Sequence, residues 1–130
     1  MRAPRLGSLQ TPGRQASRRK YKEYVSDRSP AWIARRKKWF QEWADLYGNR
    51  PPACSGGCGK KMTLRDDFHH RTYERLTQER FEDLIVMCRL CHQALHRAID
   101  QDPMWRSAER SVATDSVLHN LRRTHTIGGV

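Results

Sequence analysis

The chain has 130 residues, of which 37% are hydrophobic and 30% are charged, so the core that it can bury is small. Its formal net charge is +11, which predicts attraction to a polyanion and makes nucleic acid the first candidate partner. No apolar run approaches the roughly 20 residues of a spanning helix, and no signal-peptide core follows the basic start. We therefore expect a soluble, cytoplasmic protein with no membrane partner.

The first 20 residues carry basic side chains and no acidic one, and prolines and glycines interrupt them. This composition predicts a disordered basic arm over residues 1–20. The arm is either a solubilising tail or a segment that becomes ordered on phosphates. In the second case its contacts would be Arg18, Arg19 and Lys20.

Large apolar residues then recur at roughly helical spacing and end at Gly48, which predicts a lead-in helix over residues 31–47. We expect its aromatic residues to pack against a metal-stabilised core rather than to stack on bases. The opposite face carries a basic run that is either an ordinary solvated surface or a set of phosphate contacts. This run is Arg35, Arg36, Lys37 and Lys38.

All four cysteines lie in two short pairs, Cys54-x3-Cys58 and Cys88-x2-Cys91. This arrangement is typical of zinc knuckles, and four thiolates form a closed tetrahedral site that holds structure. Two disulfides, with three pairings, are the alternative, but disulfide scaffolds belong mainly to secreted chains. We expect one structural Zn²⁺ that clamps a β-hairpin.

The hairpin is predicted from a short strand from Thr63 to His70 and an apolar run at residues 84–87, with one helical turn around residues 77–82 between them. A helix from Arg89 to Ile99 follows. Residues 101–130 read as a helical tail that packs on the core, mediates self-association or contacts DNA. The tail contains His119 and His125, which we expect to be structural or exposed. The domain would then occupy residues 21–100.

The other four of the six histidines lie among or just beyond the cysteines. On a helix, His92 and His96 share one face about one turn apart, so they can chelate one ion. A third ligand is expected from His69 or His70. Adjacent strand residues face opposite sides, so the other histidine is available as a general base near neutral pH. Because a bound metal neutralises charge on a phosphate, these residue types together predict phosphodiester hydrolysis.

The motifs DFHH at residues 67–70 and DLIVMCRLCH at residues 83–92 resemble those of the HNH endonucleases. The resemblance extends over about Tyr21 to Ala98 and includes the helical lead-in of compact members from phages and mobile elements. It implies a small α+β fold. This fold would have a ββα-metal (His-Me finger) core and a structural zinc knuckle, flanked by N-terminal and C-terminal helices.

By this resemblance, His69 and His92 would bind the catalytic divalent metal, and His70 would be the general base. His96 matches a further ligand that some members have. The central asparagine of the family's name falls on Asp83, which accepts the same hydrogen bonds but cannot donate one when ionised. We expect Asp83 to support activity, and the alternative is that it only caps a turn.

Arg71 and Arg89 flank the proposed site. Each either holds the substrate phosphate or is an ordinary surface arginine. Mg²⁺, Mn²⁺ or Zn²⁺ can fill an imidazole-rich open site, and the sequence does not choose among them.

The resemblance implies a metal-dependent endonuclease that nicks or cuts double-stranded DNA, such as a homing endonuclease, in the cytoplasm, for example of a phage-infected bacterial cell. A non-catalytic zinc-dependent DNA-binding or phage packaging accessory module is the alternative, and an RNase shares the same chemistry. Cleavage of both strands would need a homodimer or two successive nicks. A phage packaging partner, the site preference and the role in homing, packaging, restriction or repair stay open.

Overall fold

The computed structural model describes the backbone of residues 12–128 and the side chains of residues 18–125. Within these residues the fold is small α+β, as the sequence predicts, with five α-helices and one antiparallel pair of strands. The chain divides into two compact units, residues 1–35 and 36–130, and each is described by itself. The elements are α1 (Pro12–Tyr24), α2 (Pro30–Tyr47), β1 (Asp67–His70), β2 (Leu84–Met87), α3 (Arg89–Gln101), α4 (Pro103–Ser107) and α5 (Arg110–Gly128).

The first unit contains α1, which differs from the predicted disordered arm. Proline suits the first helical turn, where its missing N–H has no intrahelical acceptor to lose, and α1 begins at Pro12. The arginine, lysine, glutamine and alanine residues that follow are good helix formers, so residues 12–20 are helical. Residues 1–11 of the predicted arm lie outside the described residues. The side chains of Arg18, Arg19 and Lys20 are exposed.

Ser29 caps the start of α2. Its hydroxyl oxygen accepts a hydrogen bond from the Trp32 N–H at 3.3 Å, and its carbonyl accepts one from Ile33 at 3.0 Å. The ring of Trp32 lies 5.4 Å from that of Tyr24, and both residues are buried. These two aromatic residues are therefore part of a packed interior.

Trp39 is at the centre of the aromatic core of the second unit. Its ring stacks 5.1 Å from that of Phe81 and meets that of Phe68 edge-on at 5.5 Å. The indole N–H points at the carbonyl oxygens of Phe81 and Leu84, each 3.3 Å away, so the polar end of the side chain is also satisfied. Trp39 thus packs as the sequence predicts, holding α2 against the hairpin.

The hairpin pairs β1 with β2 in a register that places Asp67 opposite Met87 and His70 opposite Leu84. The first strand starts later than residue 63 because a turn precedes it. In this turn the Asp66 carboxylate accepts the Thr63 N–H at 2.8 Å, and the Asp66 N–H bonds to the Thr63 carbonyl. The helical turn before β2 is a 3₁₀ turn at Phe81–Asp83.

The C-terminal tail packs on the core. Helix α5 contacts α3 and α4, and its inward face is buried. That face consists of Ala113, Thr114, Val117 and Leu118. One of the three roles left open for residues 101–130 is therefore observed for α5. Among the described residues, no helix is both long and apolar enough to cross a membrane.

Candidate metal centres

The four cysteines form one cluster whose sulfur atoms all lie within 4.8 Å of one another. All four are free thiols, so the disulfide alternative does not describe this structure. Two short pairs from distant parts of the chain have met, and Cys58 Sγ is 3.8 Å from Cys88 Sγ. The cluster can hold a metal ion such as Zn²⁺.

Backbone N–H groups point at the sulfur atoms of this cluster. Cys54 Sγ accepts from the N–H of Gly56 at 3.4 Å and of Cys88 at 3.3 Å, and Cys88 Sγ accepts from the Cys91 N–H at 3.4 Å. Such bonds favour the charged form of a thiol, which is the form that binds a metal. The Ser55 N–H bonds to the Val86 carbonyl at 3.0 Å, which ties the first cysteine pair to β2.

Burial has the opposite effect on two of these thiols. It raises the pKa of Cys54 and of Cys91, because a buried thiolate without a counter-ion is unfavourable. The metal-free cluster is therefore protonated at both positions at neutral pH. A metal ion must displace those protons, so binding should weaken as pH falls.

A second cluster brings together three of the predicted histidines. The ligand nitrogens of His69 on β1 and of His92 and His96 on α3 lie within 4.8 Å of one another. His92 Nε2 and His96 Nε2 are 3.0 Å apart. Two imidazole nitrogens at this distance repel unless a proton or a cation lies between them. The arrangement can therefore hold a metal ion.

The second nitrogen of two of these rings is bonded elsewhere. His92 Nδ1–H donates to Asp67 Oδ2 at 3.0 Å, and His69 Nε2 is 3.0 Å from the hydroxyl oxygen of Thr114. A carboxylate or hydroxyl behind an imidazole fixes its orientation and tautomer. Asp67 Oδ2 also accepts a hydrogen bond from Arg89 Nε at 3.0 Å, and the Arg89 side chain is exposed.

Burial lowers the pKa of His69 to about 2, and the charge of Arg110 acts in the same direction. The pKa of His96 is also lowered, first by burial and then by His92. Both rings are therefore neutral at physiological pH. Neutral imidazole is the form that binds a metal ion.

His70 points away from this cluster and pairs with a carboxylate. Its Nε2–H donates to Glu79 Oε2 at 2.7 Å, and the two side chains are each only 1% exposed. The ring also packs 5.6 Å from that of Tyr73. A histidine held by a carboxylate is the arrangement of a general base, because the carboxylate stabilises the protonated ring.

Asp83 is 1% exposed and anchors the loop that carries Glu79. Its carboxylate accepts two bonds from Arg75, at 2.7 and 2.5 Å, and one from the Arg80 N–H at 2.9 Å. Its carbonyl accepts the Arg71 N–H at 2.7 Å. The Arg75 guanidinium lowers the pKa of Asp83, which is therefore ionised at neutral pH. Asp83 therefore both caps the 3₁₀ turn and braces the loop. Its carboxylate is not one of the grouped metal ligands.

The predicted DNA contacts differ in their surroundings. Arg71 donates to both oxygens of Asp115, at 3.0 and 2.6 Å, and to the Glu82 carbonyl, so its guanidinium holds α5 rather than facing solvent alone. Arg36 donates to the Leu64 carbonyl at 3.3 Å, and Arg35 is buried. The basic run of α2 is therefore not one solvated face. Its exposed members are Lys37 and Lys38.

Three residues near the histidines have no counterpart in the sequence analysis. They are Glu79, Arg110 and Thr114. Arg110 donates to the His70 carbonyl at 2.7 Å, and its guanidinium lies 4.3 Å above the Tyr73 ring. No motif or periodicity marks these residues, because the contacts of Arg110 and Thr114 join β1 to a helix some 40 residues later in the chain. His125, which the sequence predicts to be structural or exposed, is exposed and lies 3.7 Å from Cys91 Sγ.

No protein-family model, curated protein or solved structure matches the chain. The resemblance to HNH endonucleases therefore depends on the motifs at residues 67–70 and 83–92 and on the geometry of the two clusters. Membership of that family is accordingly a proposal.

Proposed function

We propose that the protein is a metal-dependent endonuclease of the HNH type, with a ββα-metal core made of β1, β2 and α3. The observation that carries the proposal is the meeting of His69, His92 and His96 beside a buried pair of His70 and Glu79. Together they supply a metal site and a base, the two parts that hydrolysis of a phosphodiester requires.

The three-histidine cluster would hold the catalytic ion, which would neutralise the charge that develops on the phosphate and the leaving oxygen. Three imidazole ligands suit Zn²⁺ best and permit Mn²⁺ or Mg²⁺. Asp67 supports this role because its carboxylate orients His92 from behind. The four-cysteine cluster would hold a separate structural Zn²⁺.

His70 would accept the proton of the attacking water. Because Nε2 is bonded to Glu79, we propose that the other nitrogen, Nδ1, takes this proton. Since His70 is only 1% exposed, substrate must open a path to it. Tyr73 and Arg110, which contact His70, are the side chains that would move.

Double-stranded DNA is the proposed substrate. The net charge of +11 supports a polyanion, and phosphate contacts provide affinity without reading sequence. The exposed basic side chains suited to this role are Arg18, Arg19, Lys20, Lys37 and Lys38. Arg110, which bonds to the His70 carbonyl, is proposed beside Arg71 as a further contact for the reacting phosphate.

The burial of His70 favours one competing function, a zinc-dependent DNA-binding module without catalysis. That protein would need the cysteines and the basic surface alone. It would also retain DNA in the absence of any ion at the histidines. Metal-dependent nicking of DNA therefore distinguishes the two functions.

The test is nicking of supercoiled plasmid after removal of loosely held metal and addition of Mg²⁺, Mn²⁺ or Zn²⁺. We expect wild-type protein to nick, and His70→Ala to reduce the rate by about 100-fold or more, since a general base contributes roughly that factor. His119→Ala is the matched control, because His119 is an exposed histidine on α5. RNA offered in parallel separates a DNase from an RNase.

Thermal unfolding and DNA retention must be measured for His70→Ala, because the substitution removes the buried pair of His70 and Glu79. His70→Gln keeps a hydrogen-bond donor for that carboxylate and serves where the alanine variant unfolds. Absence of metal-dependent nicking by the wild-type protein with all three ions would refute the nuclease proposal and leave the binding module.

A further inference from the structure

Thr114, on α5, contacts the proposed metal site from the far end of the chain. Its hydroxyl oxygen is 3.0 Å from His69 Nε2, across 45 positions of sequence. Thr114 is 0% exposed and His69 is 1% exposed, so water does not compete for this contact. A hydrogen bond between two buried groups holds the imidazole ring in one orientation.

The other nitrogen of the same ring is in a different position. His69 Nδ1 is buried and has no hydrogen-bond partner within the described part of the chain. A buried polar atom left unpaired is costly, and native structures seldom tolerate one without a ligand or a functional reason. His69 belongs to the three-histidine cluster, and an unpaired Nδ1 is suited to bind a cation there.

A neutral imidazole carries one proton, so one nitrogen donates while the other binds. We infer that Thr114 is a positioning residue for the metal site: it accepts the Nε2 proton of His69 and so directs the lone pair of Nδ1 to the ion. This inference rests on the proposed function and goes further, since it assigns the binding atom and gives the C-terminal helix a role in the site.

The two other ligands use the opposite nitrogen. His92 Nδ1–H is bonded to Asp67, which leaves His92 Nε2 facing His96 Nε2 at 3.0 Å. The site thus combines one Nδ1 ligand with two Nε2 ligands. Each of His69 and His92 has an oxygen acceptor behind its other nitrogen, supplied by Thr114 and Asp67 respectively.

Helix α5 is held so that Thr114 stays at this position. Ala113 and Val117 are buried beside it, and the adjacent Asp115 makes the two bonds to Arg71. At the start of the helix, Arg110 bonds to the His70 carbonyl. The hydroxyl of Thr114 is therefore placed by packing on one side and by ion pairs and hydrogen bonds on the other.

The test measures binding of Mn²⁺ to zinc-loaded protein by calorimetry, with Zn²⁺ as a second probe. Thr114→Val keeps the shape of the side chain and removes the acceptor, and Thr114→Ser keeps the acceptor. Loss of a partner behind a metal-binding histidine costs about 10–100-fold in affinity, so we expect that weakening for the valine variant. We expect the serine variant to bind within about threefold of wild type, since it restores the same hydrogen bond.

Equal affinity of the valine variant and the wild type would overturn the inference and leave the nuclease proposal intact. Failure of the wild type to bind either ion at the histidines would instead refute the proposed function itself. The unfolding midpoint and the zinc content of each variant show whether the fold is kept. A readout on the wild type alone guards against variants that unfold: long-range ¹H–¹⁵N spectra should place the His69 proton on Nε2, and a proton on Nδ1 would overturn the inference.

Discussion

Gly56 lies where the first cysteine pair passes closest to α3, and Gly56→Ala tests the cysteine cluster directly. A Cβ atom at this position would be 2.6 Å from Cys91 Cβ and 2.7 Å from Cys91 Sγ. Carbon atoms pack at about 3.5 Å or more, so relief of the contact needs a displacement of roughly 1 Å. Zn–S bonds are about 2.3 Å long and tolerate about 0.2 Å, so the displaced cluster cannot keep all four bonds.

The expected magnitude follows from the cost of overpacking, which is about 1–3 kcal/mol. If the zinc-bound form bears this cost, Zn²⁺ binds about 5- to 150-fold more weakly. Gly59→Ala is the matched control. Gly59 has a φ of +86° and nothing within 4 Å of an added Cβ. An alanine in this left-handed backbone conformation costs about 1–2 kcal/mol, and the cost is the same with or without zinc. Gly59→Ala should therefore unfold more easily than wild type but bind zinc normally.

The assay is a competition titration in which a coloured chelator and the protein share Zn²⁺, with thermal unfolding measured alongside. Weaker zinc binding by Gly56→Ala and near-normal binding by Gly59→Ala is the expected pattern. If Gly56→Ala instead binds zinc as tightly as wild type, the four sulfur atoms do not surround the ion in the arrangement described.

Two further predictions concern pH. Burial lowers the pKa of His69 from 6.5 to about 2, so below pH 6.5 the unfolded chain binds a proton that the folded chain does not. In metal-depleted protein this contributes a fall in the free energy of unfolding of up to about 1.4 kcal/mol per pH unit as pH drops from 6.5. When the free energy of unfolding is measured with urea at several pH values, it should therefore depend less steeply on pH for His69→Gln than for wild type. Asp83, whose pKa is lowered by Arg75, stabilises the fold above about pH 4 and loses this effect as pH falls through its depressed pKa. Asp83→Asn should therefore lower the melting temperature at pH 7 by an amount that shrinks below about pH 4, and a difference independent of pH would contradict the ion pair.

The parts of the site that depend on local spacing could be predicted from the sequence. Two cysteines three or four positions apart, or His92 and His96 on one helical face, meet because the backbone between them is short. The alternation along β1 likewise separates His69, which joins His92 and His96, from His70, which joins Glu79. Short-range geometry is sufficient in each case.

The parts that depend on tertiary packing could not be predicted. Nothing about the sequence near Thr114 or Arg110 indicates that α5 passes behind β1, because an amphipathic helix can pack in many places. The pairing of Arg71 with Asp115 of α5 is likewise a tertiary contact that no local spacing indicates. The sequence does not predict the helix over residues 12–20. A high density of like charge favours disorder, whereas the helix propensity of the same residues favours a helix, and the structure follows the propensity.

The course of α5 has a consequence for how the protein is handled and altered. In its second turn the helix contacts His69 through Thr114, and two turns later Arg122 donates to the Ser55 carbonyl at 2.8 Å and packs on Gly57. A rise of 1.5 Å per residue separates the two contacts by about 12 Å. Helix α5 thus contacts both clusters of candidate metal ligands. A purification tag, a fusion partner or a proteolytic cut near the carboxyl terminus would therefore disturb its contact with the cysteine loop first, and its contact with the histidines only if the whole helix were displaced.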